Sequence, residues 1–221
     1  MKKVLPLWLC MLVILTSCNQ TNALVTDTRK VPLEAVQVIS IDNGSTPVTV
    51  EAVSGIESVE VSSTAPDRKP VFTIEQSQKD IRIASRNHLF RVFNLANKPV
   101  ITVKIPLHYE GSLQISSSSG KVKINQPQSD LSINTTSGHI ELTADRINSD
   151  IHLAAASGNI TLRVAEDTPD ADWTLESRSG RRSHLLDWAQ INEDKHTTQG
   201  VTGRGTHQVN VMTRSGNIRI E

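Results

Sequence analysis

Aromatic residues are scarce in this chain, at 3% of 221 residues. Beyond the first eighteen positions only Phe72, Phe90, Phe93, Tyr109, Trp173 and Trp188 occur. That poverty argues against exposed aromatic platforms of the lectin kind. It suits a narrow β-stack filled by Ile, Leu and Val. Net charge is missing as well, because 23 Lys and Arg balance 23 Asp and Glu, which leaves no electrostatic footprint for nucleic acid. Long apolar runs are absent except for Val4 to Ile14, preceded by Lys2 and Lys3. That run is too short to span a bilayer comfortably and reads as a cleaved export signal over residues 1–17. Of the two cysteines, Cys10 falls in the discarded segment and Cys18 follows it. No disulfide is then possible within one mature chain, so burial and ladder hydrogen bonds must hold the fold.

The export segment ends in Leu15, Thr16, Ser17 and Cys18. This resembles the lipobox of bacterial lipoproteins: an apolar residue, two small ones and a cysteine. The resemblance implies cleavage before Cys18, diacylation of its sulfur and acylation of the new amine. Two or more acyl chains suffice for stable anchoring, at roughly 0.8 kcal/mol per buried CH₂. Asn19 stands where an aspartate favours inner-membrane retention in enterobacterial-type lipoproteins, so the outer membrane is expected where the cell has one. Residues 18–34 are polar, without periodicity, and contain Pro32. They read as a lipidated flexible tether.

What is present in abundance is repetition, over an adhesin-like domain expected at 35–221. Leu113, Ile115, Gly120, Val122 and Ile124 mark one copy. Leu131, Ile133, Gly138, Ile140 and Leu142 mark a second, and Ile151, Leu153, Gly158, Ile160 and Leu162 a third. Trp173, Leu175 and Gly180 begin a fourth, and Val209, Val211, Gly216, Ile218 and Ile220 close the chain. Each glycine follows a serine and falls seven positions after the first apolar residue. Such a frame predicts stacked coils of two short strands with a Ser-Gly corner, regular from about residue 111. Glycine is expected at the corner for a positive φ, and the adjacent serine for bonds to the local backbone. The closing strand at 217–221 is expected to be an unpaired edge. The fourth copy has Arg181, Arg182 and His184 in place of its second strand, which puts its geometry in question.

From Val36 to Ile105 the alternation of β-branched residues continues, broken by turn signals at Asn43-Gly44 and Pro66-Asp67. This less regular all-β part is either drifted coils or a small antiparallel cap. Residues 86–98 form an apolar-rich insertion, expected as a hairpin or loop over the stack's side or open end. No segment has a convincing helical period.

Ile101, Val103, Ile105 and Pro106, followed by the Ser-Gly copies at 113–124, resemble the toastrack β-repeat family, also known as an adhesin-type family. Gly203, Gly205, Val209, Val211, Ser215, Gly216 and Ile218 resemble its closing repeat. The resemblance covers roughly 36–221. It implies a β-solenoid-like, single-sheet stack on a bacterial envelope protein. It carries no catalytic residues onto this chain.

Two constellations remain as candidate binding positions. Asp130, Asp150 and Asp172 align just before the first strand of their copies. A calcium ladder there lacks the dense Gly-Asp turns of calcium-binding solenoids, and turn-forming aspartates are the simpler reading. Arg178, Arg181, Arg182 and His184 cluster about the fourth glycine, and Arg214 shares the coil position of Arg178. They are candidates for a basic edge toward phosphate or uronate groups, set against a solvated face balanced by Glu176, Asp187, Glu193 and Asp194. The seven histidines are scattered without HExxH, and no CxxC or Gly-x-Ser-x-Gly elbow occurs, so neither a metal, a cofactor nor a serine nucleophile is expected.

The composite expectation is a non-enzymatic, lipid-anchored envelope protein presenting a β-repeat surface to proteins or envelope polymers. An accessory factor in envelope-stress signalling is one alternative. A polysaccharide lyase or hydrolase on a β-helix is the other, and a groove joining Asp172, Arg178, Arg181 and Arg214 would favour it.

Overall fold

The computed structural model describes residues 25–65, 70–86 and 99–221. The export signal, Cys18, the Pro66-Asp67 turn and nearly all of the 86–98 insertion lie outside the described residues. Within them every regular element is a strand. The irregular first part supplies Val25–Pro32 (β1), Val38–Gly44 (β2), Val48–Val53 (β3), Ser58–Ala65 (β4), Phe72–Gln76 (β5), Asp80–Ser85 (β6) and Val100–Pro106 (β7). The first three copies supply Ser112–Ser117 (β8), Val122–Asn125 (β9), Leu131–Thr135 (β10), Ile140–Ala144 (β11), Ile151–Ser157 (β12) and Ile160–Val164 (β13). The remainder is Ala171–Ser177 (β14), Arg182–His184 (β15), Ala189–Glu193 (β16), Thr197–Thr202 (β17), His207–Ser215 (β18) and Ile218–Ile220 (β19).

Period-2 patterning explains why these become half-buried strands. In β10, Leu131, Ile133 and Thr135 are buried while Ser132 and Asn134 face outward. The first strand of each copy joins a ten-stranded sheet and the second a nine-stranded sheet. The two sheets bury their Ile, Leu and Val columns against each other in one continuous core. Each fully buried side chain of that size contributes about 1.5–3 kcal/mol relative to exposure. Neighbouring copies are parallel and in register, with Leu113, Leu131, Ile151 and Val209 side by side.

The stack does not follow chain order. The nine-stranded sheet runs β1-β4-β7-β3-β9-β11-β13-β19-β15, and the ten-stranded sheet runs β5-β6-β2-β8-β10-β12-β18-β14-β17-β16. The closing coil, β18 and β19, is inserted between the third copy and the fourth. At the other end the β2–β3 coil is inserted in the same way, between β6–β7 and β8–β9. The expected free edge at 217–221 is therefore corrected: Ile218 lies between Ile160 and Arg182, paired on both sides. The fourth copy also has its second strand, since Arg182, Ser183 and His184 pair with β19. Both readings of the irregular part hold, for different pieces. The β2–β3 and β6–β7 pairs are coils of the stack, while β1, β4 and β5 add an antiparallel cap. The tether is corrected too. Val25 to Pro32 is a strand paired along its length with β4, and the ion pairs Arg29–Asp27 and Lys30–Glu60 decorate this edge strand, a device that discourages further strand pairing.

The corner glycines serve a purpose other than the expected one. Positive φ among the described glycines occurs at Gly44, Gly55, Gly203 and Gly205, not at the Ser-Gly corners. Instead the corners stack so tightly that a Cβ on Gly138 would strike the carbonyl oxygen of Gly120. One on Gly158 would strike that of Gly138, and one on Gly216 that of Gly158. The serine beside the glycine is exposed in the first three copies. The buried hydroxyl belongs to the residue three positions before the glycine. Ser117 Oγ donates to Gly120 O at 3.0 Å, and Gly138 N donates to Thr135 Oγ1 at 2.9 Å. Thr213 Oγ1 donates to Gly158 O at 3.1 Å, and Ser177 Oγ to Gly216 O at 2.9 Å.

Candidate functional site

Register places two outward rows on the ten-stranded sheet. One row carries Asp42, Ser116, Asn134, Ala154, Met212 and Glu176 across six adjacent strands. The other, one corner closer to the glycines, carries Ser118, Thr136, Ala156, Arg214 and Arg178. Between them lies an open trough of about 650 Å³. At the usual strand spacing of about 4.8 Å, its six strands span roughly 24 Å. Its lining is hydroxyl- and amide-bearing at Ser116, Ser118, Asn134 and Thr136 and apolar at Ala154, Ala156 and Met212.

Arg178 and Arg214 stand on neighbouring strands, each one position past the paired Ser177 and Thr213. They close one end of the trough. Arg178 also borders a second concavity of about 820 Å³ around the corner, with Arg181, Lys195, His196, Asn217 and Arg219. No carboxylate lines that second concavity. Among the described residues Arg178, Arg181, Arg214 and Lys195 make no ion pair, while Arg219 pairs with Glu221 at 3.3 Å. Arg182 behaves differently from its expected companions. Its side chain is 8% exposed. Its guanidinium donates to Thr198 Oγ1 at 2.8 Å and to the carbonyls of Asp194, Lys195 and Ser177. It clamps the β16–β17 hairpin to the fourth coil and offers nothing outward.

The aspartate column is interrupted. Asp150 N donates to Asp130 Oδ1 at 3.2 Å, and Gln208 N donates to Asp150 Oδ1 at 2.9 Å. Gln208 then reaches Asp172 Oδ2 through its amide at 3.3 Å. The inserted closing coil thus places a neutral glutamine between Asp150 and Asp172. Each carboxylate accepts an N–H from its neighbouring strand, a bond between coils and not within a turn. No group of three or more His, Cys, Asp or Glu is arranged to hold a metal among the described residues. Asp172 and Arg178 are six positions apart along one extended segment, about 20 Å at 3.3 Å per residue. Asp172 lines neither concavity that Arg178 borders. The structure brings Arg178 together with Arg214, and separately with Arg181, but it does not join them to Asp172 in one groove.

Two features were not anticipated. Asp170 accepts N–H bonds from Thr206 at 3.1 Å and Arg204 at 2.8 Å, a hydroxyl bond from Thr206 at 2.9 Å, and the Arg204 guanidinium at 3.0 Å. The Thr206 N–H first, then the Thr206 hydroxyl and the Arg204 groups, hold its carboxyl well below the usual range. This knot ties the turn at Gly203 and Gly205 that feeds the closing coil. At the far end, Trp188 stacks on His184 at 4.0 Å and lies 5.6 Å from Trp173, whose Nε1 donates to Thr202 Oγ1 at 2.8 Å. Trp188 covers the last coil, and Leu185 and Ile191 remain 80% and 53% exposed beside it. The trough positions Ser116, Asn134 and Thr136 were accessible to sequence reasoning, as outward positions of aligned copies. Lys195 was not, because it arrives from the hairpin and belongs to no repeat.

Comparison with known proteins agrees with this architecture. A family model described as Toastrack DUF4097 matches residues 115–221. A crystal structure from Clostridium sporogenes, described as a "putative cell adhesion protein", superposes with a TM-score of 0.68 at 10% identity, covering 90% of this chain and 99% of that one. A "putative adhesin" from Bacteroides fragilis covers 90% of this chain and 97% of that one at 14% identity, with a TM-score of 0.39. No curated protein matches significantly. The first superposition extends the shared fold well beyond the matched segment, over the irregular coils as well. Residues 115–221 thus carry the match to the toastrack family model, and the superposition shows the same fold over the rest of the stack.

Proposed function

We propose that this is a lipid-anchored envelope protein whose toastrack stack is a non-enzymatic, adhesin-like binding surface. The observation that carries the reading is the order of parts along the chain. An export segment ending in the Leu15-to-Cys18 lipobox pattern leads, within seven residues, into β1 at the terminus of the nine-stranded sheet. Anchored at Cys18, the stack carries β15 and β16 at the end away from its lipid. Eight strand steps separate β1 from β15, about 38 Å at 4.8 Å each. The wide separation of Asp172 from the arginines supports binding over acid-base chemistry, because a lyase or hydrolase site needs convergent groups. The partner is a protein or an envelope polymer, and the membrane is the outer one where the cell possesses two.

Replacing Cys18 tests the anchor. Wild-type protein expressed in its own cells is expected to fractionate with membranes and incorporate labelled palmitate. Cys18→Ala is expected to lose both. Palmitate incorporation by Cys18→Ala, or a soluble unlabelled wild type, overturns the anchor. Crosslinking in intact cells then identifies what the stack touches.

A further inference from the structure

We infer that the trough on the ten-stranded sheet is a binding site for an extended acidic polysaccharide, with carboxylate groups of the sugar chain held at the Arg178–Arg214 pair. The proposal deepens the surface-presentation reading above and rests on it for its setting. Four observations converge on it. First, the trough crosses six strands in register over roughly 24 Å, a length suited to a linear polymer. Second, its floor is Ser116, Ser118, Asn134 and Thr136 with Ala154 and Ala156 between them and the arginines. These short side chains offer hydroxyl and amide partners for sugar hydroxyls without filling the space. Third, Arg178 and Arg214 are exposed like charges on adjacent strands, without ion-pair partners among the described residues. Their mutual repulsion is relieved by an anion between them, and guanidinium groups match carboxylates in bidentate geometry. Fourth, the concavity around the corner adds Arg181 and Lys195 and no carboxylate, extending the positive field beyond the pair. The two carboxylates of the trough, Asp42 and Glu176, sit at the ends of the lower row. They leave the upper row, Ser118 to Arg178, as the path for the charged edge of the ligand. A site built this way recognises a chain by length and charge and needs no aromatic platform.

Full-length chain carrying Cys18→Ala, purified in detergent, separates this question from anchoring. Binding is read by calorimetry against a defined oligouronate, a neutral glucan of the same length and a linear polyphosphate. The oligouronate is expected to bind, the neutral glucan not, and the polyphosphate more weakly. Arg178→Gln with Arg214→Gln is expected to weaken oligouronate binding by about tenfold per arginine, or about 1.4 kcal/mol each. Both side chains are exposed, and an unchanged melting temperature verifies that the fold survives. Ser118→Asp, placed in the trough three strands from Arg214, is expected to weaken binding as well. No oligouronate binding, equal binding of the neutral glucan or of polyphosphate, or indifference to either variant overturns the proposal.

Discussion

A methyl group added at Gly158 has nowhere to go. Its position faces the carbonyl oxygen of Gly138 one rung below, and the carbonyl of Gly158 in turn faces the position of Gly216. Backbone atoms, not flexible side chains, form both walls, so two rungs must separate to admit a Cβ. Overpacking of this kind costs about 1–3 kcal/mol and sometimes more. For a chain of this size Gly158→Ala is expected to lower Tm by roughly 5–10 °C in a thermal melt. Ser157, its neighbour in the same Ser-Gly pair, is exposed and its hydroxyl makes no hydrogen bond among the described residues. Ser157→Ala is expected to fall within about 0.5 kcal/mol of wild type. Equal effects of the two substitutions would mean that the pair acts as a unit turn after all, with φ rather than close approach as the constraint. The distinction matters for reading the chain. Glycine and serine recur together, but glycine is selected by the rung beneath it, while the serine hydroxyl bonds only in single copies, Ser119 to Ser45 Oγ at 2.9 Å and Ser179 to the Arg214 carbonyl at 3.4 Å. The hydroxyl that completes the corner sits three positions earlier, at Ser117, Thr135, Ser177 and Thr213, and is replaced by Ala155 in the third copy.

The coil itself was legible, because an alternating run, a Ser-Gly corner and a second alternating run each carry a local physical signature. The order of coils was not. Every coil presents the same columns of Ile, Leu and Val and the same parallel hydrogen-bonding edges, so no local signal says which neighbours which. What decides the order is how connections outside the repeats are tied down. The β16–β17 hairpin pairs antiparallel with β14, and the Asp170 knot then returns the chain through Gly203 and Gly205 to start β18 on the other side of β14. Those partners are separated by more than twenty positions and follow no repeat. The same non-local logic hid the interrupted aspartate column, since Gln208 aligns with Asp150 and Asp172 only once the closing coil is inserted. Asp170→Asn tests the knot. Its carboxyl is held below its ordinary value of about 3.9. The stabilisation is therefore fully present above that ordinary value and is lost as pH falls through the lower folded value. At pH 7 Asp170→Asn is expected to melt below wild type, and the gap is expected to narrow steadily as the buffer is taken below pH 4. A gap that is constant down to pH 2, or absent at pH 7, would show that the carboxylate contributes no charge-dependent hold on the closing coil.

Insertion at both ends changes what the whole stack can do. In a solenoid built in chain order, each repeat contacts only its neighbours and terminal repeats can fray independently. Here β2–β3 lies between coils from later in the chain, and β18–β19 lies between coils from earlier in it. Removing either opens an internal gap rather than shortening an end. One apolar core also runs from Val31 to Ile220 without interruption. Unfolding is thus expected to be a single cooperative event despite the repeated architecture. The chain contains a convenient pair of probes. Trp173 and Trp188 are the two tryptophans of the described residues, and both lie in the last coils, near β15–β17. Their fluorescence reports that end alone, while far-ultraviolet circular dichroism reports all the strands. Denaturant titrations followed by the two signals are expected to coincide in midpoint and slope, as an all-or-none transition requires. An earlier fluorescence transition would mean that the tryptophan-bearing end detaches as a separate unit, so that the inserted closing coil does not bind it to the rest. Coincidence carries a functional corollary. The arginine pair that terminates the trough stands on β18 and just past the end of β14, within this same end, so a ligand held at Arg178 and Arg214, as proposed, would pull against the whole stack and not against one repeat.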